Sequence, residues 1–280
     1  MSKTWLITGS SVGLGRHLVE VALAAGDNVV ATSRTPEQLA DLAQRHGDRL
    51  LAVGLDVTDP ADSRAVVNSA VERFGSLDVV VNNAGYATTA SAEDFPEDEF
   101  RRQVETNLFG VINVTRAALP VMRRQRSGHL IQISSIGGRV GGTAGLSAYQ
   151  TAKYGVEGYS AVVASEVAPL GITVTIVEPG GLRTNWAGGA AEPAAPVREE
   201  YDETVGARLR MLADYTGNEP GDPARAAEAI VEIAATTEPP LRLLIGSDAL
   251  RIALDHSRNQ IAEAEEWADL TSSVDFAAAA

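Results

Sequence analysis

"WLITGSSVGLG", residues 5–15, runs an apolar stretch into three glycines and then into a helix-like pattern. Residues 5–8 read as a strand, and Leu18, Val19, Ala22 and Leu23 follow at the spacing of one helix face. Glycines at 9, 13 and 15 permit a tight turn and a close approach of a ligand to the backbone. The N-terminus of the helix offers unpaired N–H groups to a pyrophosphate. A glycine-rich junction can be no more than a turn. At the first strand–helix junction of a parallel sheet, dinucleotide binding is the better reading, although the spacing is G-x-x-x-G-x-G and not G-x-G-x-x-G.

The rest of the chain supplies that sheet. Residues 28–33, 50–56, 77–83, 129–134, 173–179 and 242–246 read as further strands, most of them continuous apolar runs suited to burial on both faces. Helices alternate with them. Thr58-Asp59-Pro60 opens one over 60–74 that Gly75 closes, and Asp222-Pro223 opens another over 222–235. This predicts an α/β fold: a single-domain, Rossmann-type, doubly wound parallel sheet of about seven strands. Residues 1–247 form the dinucleotide-binding and catalytic domain, and 248–280 a C-terminal extension, helical over 248–270 through Leu250, Leu254, Ile261 and Trp267. Residues 187–218 interrupt the alternation. Their start, "AGGAAEPAAPV", is small and Gly/Pro-containing, and Tyr201, Val205, Leu209 and Leu212 then share a helical face. That is a natural substrate lid, or equally a surface loop with a packed helix.

Composition narrows the class of function. The 280 residues are 45% apolar and 21% charged, enough for a sizeable core. A net charge of −14 argues against nucleic acid or an anionic membrane as partner, since both are polyanions. Arg123, Arg124 and Arg126 could serve a small phosphate, but cations before Gly128 suit the end of a helix. Without cysteine there is no disulfide, thiolate metal site or thiol nucleophile. His17, His46, His129 and His256 lack ligand spacing, so no metal is expected. No apolar run reaches the ~20 residues of a membrane span, and the N-terminus is not a signal peptide; the expected location is cytoplasmic.

Tyr149 and Lys153 stand four positions apart in "SAYQTAKYGVEGYS", residues 147–160. Helical spacing alone cannot separate an ordinary amphipathic pair from a proton donor beside a tuning cation. The surrounding motifs do separate them. "TGSSVGLG", "NNAG" (82–85), Asn107, "ISS" (133–135), "YQTAK" (149–153) and "EPGGLRT" (178–184) resemble, in order and spacing, the short-chain dehydrogenase/reductase family. The resemblance runs from residue 3 to about 246, nearly the whole chain. It departs from the family at one point: Ser135 precedes Tyr149 by 14 positions, where many members have 13, so "GGTAG" (141–145) carries an extra small residue that a loop can absorb.

That resemblance implies hydride transfer between NADP(H), with NAD(H) possible, and a carbonyl or secondary alcohol. A phenol with an ordinary pKa of about 10 needs its anion stabilised to serve as a base. Tyr149 is then the acid/base, Lys153 its tuner and the grip on the ribose, Ser135 the partner of the substrate oxygen, and Asn107 the anchor of a water feeding protons to Lys153. Strand alternation disfavours Ser134 for the serine role. Around the cofactor the resemblance places Gly9, Ser11, Gly13, Leu14 and Gly15 at the pyrophosphate. Asp56 and Val57 fall at the adenine, Asn83, Ala84 and Gly85 at its ribose, and Pro179, Gly180 and Thr184 at the nicotinamide. Asp56 alternatively serves only the turn before the next helix. Ser33 and Arg34 stand where NAD-using relatives place an acid, which favours the 2′-phosphate unless Arg34 is a solvated loop residue. Leu146, Trp186, Tyr201, Leu209 and Leu212 suggest a substrate with an apolar body, and the resemblance implies a homodimer or homotetramer. The competing reading is a non-catalytic dinucleotide sensor on the same fold. A serine hydrolase is disfavoured by the lack of a G-x-S-x-G elbow.

Overall fold

In the computed structural model, which describes residues 2–276, alternate residues of each central strand serve two separate cores. The strands are β1 (Thr4–Ile7), β2 (Asn28–Ser33), β3 (Leu50–Gly54), β4 (Val79–Asn82), β5 (Gly128–Ile133), β6 (Ile172–Pro179) and β7 (Arg242–Ile245). All pair in parallel, in the order β3-β2-β1-β4-β5-β6-β7. Trp5 and Ile7 of β1, with Val79 and Val81 of β4, bury against α1 (Gly13–Ala24), α2 (Ala40–His46) and the later helix Pro223–Ala235. Leu6 and Val80 point the other way, against α3 (Pro60–Phe74), α5 (Gly110–Gln125), which follows α4 (Glu97–Val104), and a long helix Ser147–Val167. A period of two, covered on both faces, gives the doubly wound sheet its near-continuous apolar strands.

Further along lie α6 (Ile136–Val140), α7 (Ser147–Val167), α8 (Trp186–Ala190), α9 (Ala207–Tyr215), α10 (Pro223–Ala235), α11 (Ser247–Glu266) and α12 (Ala268–Ser272). Helix starts follow the expected chemistry. The Asp59 and Asp222 carboxylates accept the Ala61 and Ala224 N–H groups at 2.6 and 2.8 Å, with proline at the first helical position. Arg123 and Arg124 occupy the last turn of α5, and Arg126 closes it in the left-handed region at φ 57°.

Two segments outside the strand–helix alternation take defined form. The extension is helical, but its buried face is Ala249 and Ala253, while Leu250, Leu254, Ile261 and Trp267 are about half exposed or more. The helix also breaks at Trp267, and residues 277–280 lie outside the described residues. Within residues 187–218, Val205 and Leu212 are buried and Tyr201 and Leu209 half-buried, so the four do share an inward face, and the segment before them is tied down. Thr89 pairs with Pro193 in a short parallel bridge, its N–H and carbonyl bonding Glu192 and Ala194. A 3₁₀ turn at Glu199–Tyr201 and a π turn at Asp202–Gly206 then precede α9, burying Val205 and Leu212 and sending the Tyr201 hydroxyl to Glu93 at 2.7 Å.

Candidate active site

At the carboxyl ends of β1, β2, β4, β5 and β6 a cleft of about 1080 Å³ opens. This is where the strand order reverses, the place open α/β sheets bind ligands. Thr8 braces its floor: the hydroxyl oxygen accepts both the Asn83 and Ala84 N–H groups at 2.9 Å. Asn83 returns the contact, donating to the Thr8 and Gly9 carbonyls at 2.8 and 3.1 Å. Gly9 and Gly13 turn the loop with φ of 68° and 58°, a conformation that suits glycine. Helix α1 starts with no side-chain cap and no acid in its first turn, leaving its N–H groups open to an anion.

Every cofactor residue named from the sequence lines this cleft except Gly15. Gly15 is a correction: it faces inward, where a Cβ would strike the Gly9 carbonyl and come within 2.5 Å of the Asn83 amide. It lets α1 pack on the loop. Asp56 does serve its turn, one carboxylate oxygen accepting the Thr58 N–H and hydroxyl at 2.9 and 2.8 Å. It also borders the cleft beside Val57. Ser33 accepts the Thr35 N–H at 3.2 Å and donates to Gln38 at 3.3 Å, while the Arg34 guanidinium has no protein partner among the described residues. The cleft and the open helix end fit a dinucleotide, and the Arg34 guanidinium stands uncommitted at the end of β2.

The opposite end holds the reactive groups. Ser135 caps α6, its hydroxyl oxygen accepting the Gly137 N–H at 3.0 Å, and it interacts with the Tyr149 phenol. Ser134 also borders the cleft, but its hydroxyl sits under α6, where a Cβ on Gly138 would come within 2.6 Å of it. The extra residue sits in the 141–145 loop, which Gln150 ties to α7 by bonding Thr143 at 3.0 and 2.9 Å. Tyr149 and Lys153 are both buried, with the ammonium 5.7 Å from the phenol ring centre and 2.7 Å from the Ile133 carbonyl.

Their ionisation departs from the expected tuning. Burial pushes Tyr149 up to about 12, the Ser135 contact opposing it only in part. Burial also lowers Lys153 to about 8, while the Glu157 carboxylate works the other way. The phenol is therefore held neutral, the form that donates a proton. Asn107 lies in a π turn, Glu105–Phe109, with its amide committed. It donates to the Tyr86 and Gln103 carbonyls at 2.9 and 2.8 Å and accepts the Tyr86 N–H at 3.2 Å. The side chain braces the 85–86 loop. Glycine at 85 leaves the Asn107 amide oxygen uncrowded, since a Cβ there would strike it.

Sequence reasoning missed several participants. Tyr86, Glu99 and Arg102 line the cleft; Trp186, named from the sequence for an apolar substrate body, does lie at the site, its ring 5.1 Å from that of Tyr149. Behind the site, Arg242 bonds Glu157 at 3.0 Å and approaches Glu178 at 3.6 Å, and Glu178 also meets Arg139. Glu178 stood in a quoted motif, and an acid at the inner end of an apolar strand was the available signal. Among the described residues no metal-ligating cluster occurs and no helix is long and apolar enough to cross a membrane.

Comparison with known proteins agrees with this geometry. A family model described as short chain dehydrogenase matches residues 3–194. An oxidoreductase of Botryotinia fuckeliana is 48% identical over 272 residues, 97% of this chain and 98% of that protein. A 3-ketodihydrosphingosine reductase of Bacteroides thetaiotaomicron is 35% identical over 86% of this chain and 87% of its own length. The crystal structure of a short-chain dehydrogenase from Streptomyces avermitilis superposes with a TM-score of 0.88 at 41% identity, covering 98% of both chains.

Proposed function

We propose, starting from the fact that this chain belongs to the short-chain dehydrogenase family, that it is an NADP(H)-dependent oxidoreductase interconverting a carbonyl and a secondary alcohol. The observation that carries this reading is the buried Tyr149 phenol, held neutral with Ser135 beside it and Lys153 one turn along, at the end of a dinucleotide-sized cleft. When bound, the cofactor supplies the hydride. Tyr149 donates its proton to the carbonyl oxygen as negative charge develops there, and the Ser135 hydroxyl hydrogen-bonds the same oxygen. Lys153 offsets charge on the phenolate left behind and passes it a proton from solvent. Trp186, Leu146 and Leu212 pack around Tyr149 and favour a substrate with an apolar body. The Bacteroides relative is likewise named for a ketone, 3-ketodihydrosphingosine. An assembly of two or four copies belongs to the same reading, supported by exposed Phe109, Tyr154 and Val162.

The test is NADPH oxidation across ketones, aldehydes, quinones and steroid- or retinoid-like carbonyls, with Tyr149→Phe as control. Turnover that requires the phenol supports the reading. Tight NADPH binding with no turnover on any carbonyl would instead make the protein a dinucleotide sensor.

A further inference from the structure

The Gly180–Gly181 segment, where β6 ends, borders the cleft on one side and is held on the other by the C-terminal third of the chain. Asp248, in the first turn of α11, accepts the Gly181 N–H at 2.8 Å. A Cβ on Gly180 would run into that carboxylate, and one on Gly181 into the hydroxyl of Tyr215, the last residue of α9. Glycine at both positions is thus what admits the two side chains. The backbone is fixed around them: Gly180 donates to Ile245, Gly221 to Gly181, and Arg183 to Gly221, each at 2.9 Å. The other Asp248 oxygen is buried without a hydrogen-bond partner, a cost that the start of α11 offsets through its dipole. One Asp248 oxygen is thus spent on the Gly181 N–H and the other lies where a Gly180 side chain would go, so the carboxylate is committed to this segment.

We propose that Asp248 is a positioning residue that, through the Gly181 N–H, sets the Gly180–Thr184 loop against the nicotinamide end of the cofactor, and that Tyr215 makes this setting depend on α9. The inference rests on reading the cleft as a nicotinamide dinucleotide site. It makes α11 part of the working site and not an appended extension. It also joins the substrate-side segment to the cofactor loop, so that displacement of α9 moves the nicotinamide wall.

Calorimetric binding of two ligands separates this from general stabilisation: NADP+, and 2′-phospho-ADP-ribose, which lacks the nicotinamide. Asp248→Ala should weaken NADP+ about tenfold, as loss of one charge-assisted bond implies, and leave 2′-phospho-ADP-ribose unchanged. Asp248→Asn should restore most of the loss, because its amide oxygen still accepts the Gly181 N–H. Tyr215→Phe, which keeps the ring, should give a smaller loss, again for NADP+ alone, and serves if Asp248→Ala does not fold. Equal weakening of both ligands, or of neither, would overturn the proposal. Wild-type protein that binds neither these nor NAD+ and ADP-ribose would sink the cofactor reading itself.

Discussion

The Arg139 Nε lies 2.7 Å from a carboxylate oxygen of Glu178, whose side chain is completely buried. That contact fastens α6, which Ser135 heads, to the end of β6 just before Pro179. Burial raises the Glu178 pKa, and the Arg139 hydrogen bond opposes it. Removing the arginine leaves a buried carboxylate with only Arg242, at 3.6 Å, to offset it. Arg139→Met should therefore lower stability by about 2 kcal/mol in urea unfolding, below the range for a wholly buried pair because Arg139 is partly exposed. The double variant Arg139→Met/Glu178→Gln should recover part of that loss, since no uncompensated charge remains. A double variant less stable than the single one would show that the carboxylate is not the destabilising element.

Chemistry and binding separate at Tyr149. Tyr149→Phe keeps the ring that packs on Trp186 but removes the proton donor. Turnover should fall by about 10² or more with little change in NADPH affinity. Lys153→Ala should impair both. A Tyr149→Phe enzyme that keeps a tenth of its turnover in a chemistry-limited assay removes the phenol from the acid's role.

Lys153 should set the pH profile of reduction. Its pKa, lowered by burial to about 8, is crossed well before that of Tyr149, raised by burial to about 12. Below about pH 8 the ammonium is charged and the phenol neutral, as reduction requires. With rising pH the lysine loses its proton first. With NADPH as the varied substrate, kcat/KM should be flat toward neutrality and fall with a single ionisation near 8. Glu157→Gln removes the carboxylate that favours the charged lysine and should move the fall to lower pH. A fall only near 12 would assign the ionisation to Tyr149.

The sheet was legible because its inner strands, β1, β2, β4, β5 and β6, are buried on both faces and leave apolar runs. The glycine loop and Tyr149–Lys153 were legible as motifs. What escaped depends on contacts between distant segments. Gly15 looked like part of the pyrophosphate loop, yet its missing Cβ serves the packing of α1 on Gly9 and Asn83. Asn107 spends its amide on Tyr86 and Gln103, a partnership invisible until the π turn brings them together. The apolar residues of the tail pointed to a helix but not to its buried face, which is two alanines, while the larger side chains stay outside.

Cofactor choice should be decided at the end of β2. Ser33 stands where a carboxylate would accept from both ribose hydroxyls, and no acid lies between Asp27 and Glu37. The Arg34 guanidinium borders the cleft with no protein partner among the described residues, so binding a phosphate there breaks no existing ion pair. A charge-assisted contact contributes about 1.5–3 kcal/mol, roughly ten- to a hundred-fold in preference. Thus kcat/KM with NADPH should exceed that with NADH by at least about tenfold at moderate salt, and the margin should shrink as salt screens the exposed guanidinium. The double variant Ser33→Asp/Arg34→Ala should reverse the order, adding repulsion as it removes attraction. Steady-state kinetics with both cofactors decides the matter. A wild-type preference for NADH, or a ratio that the double variant leaves untouched, would show that Arg34 does not read the 2′-phosphate.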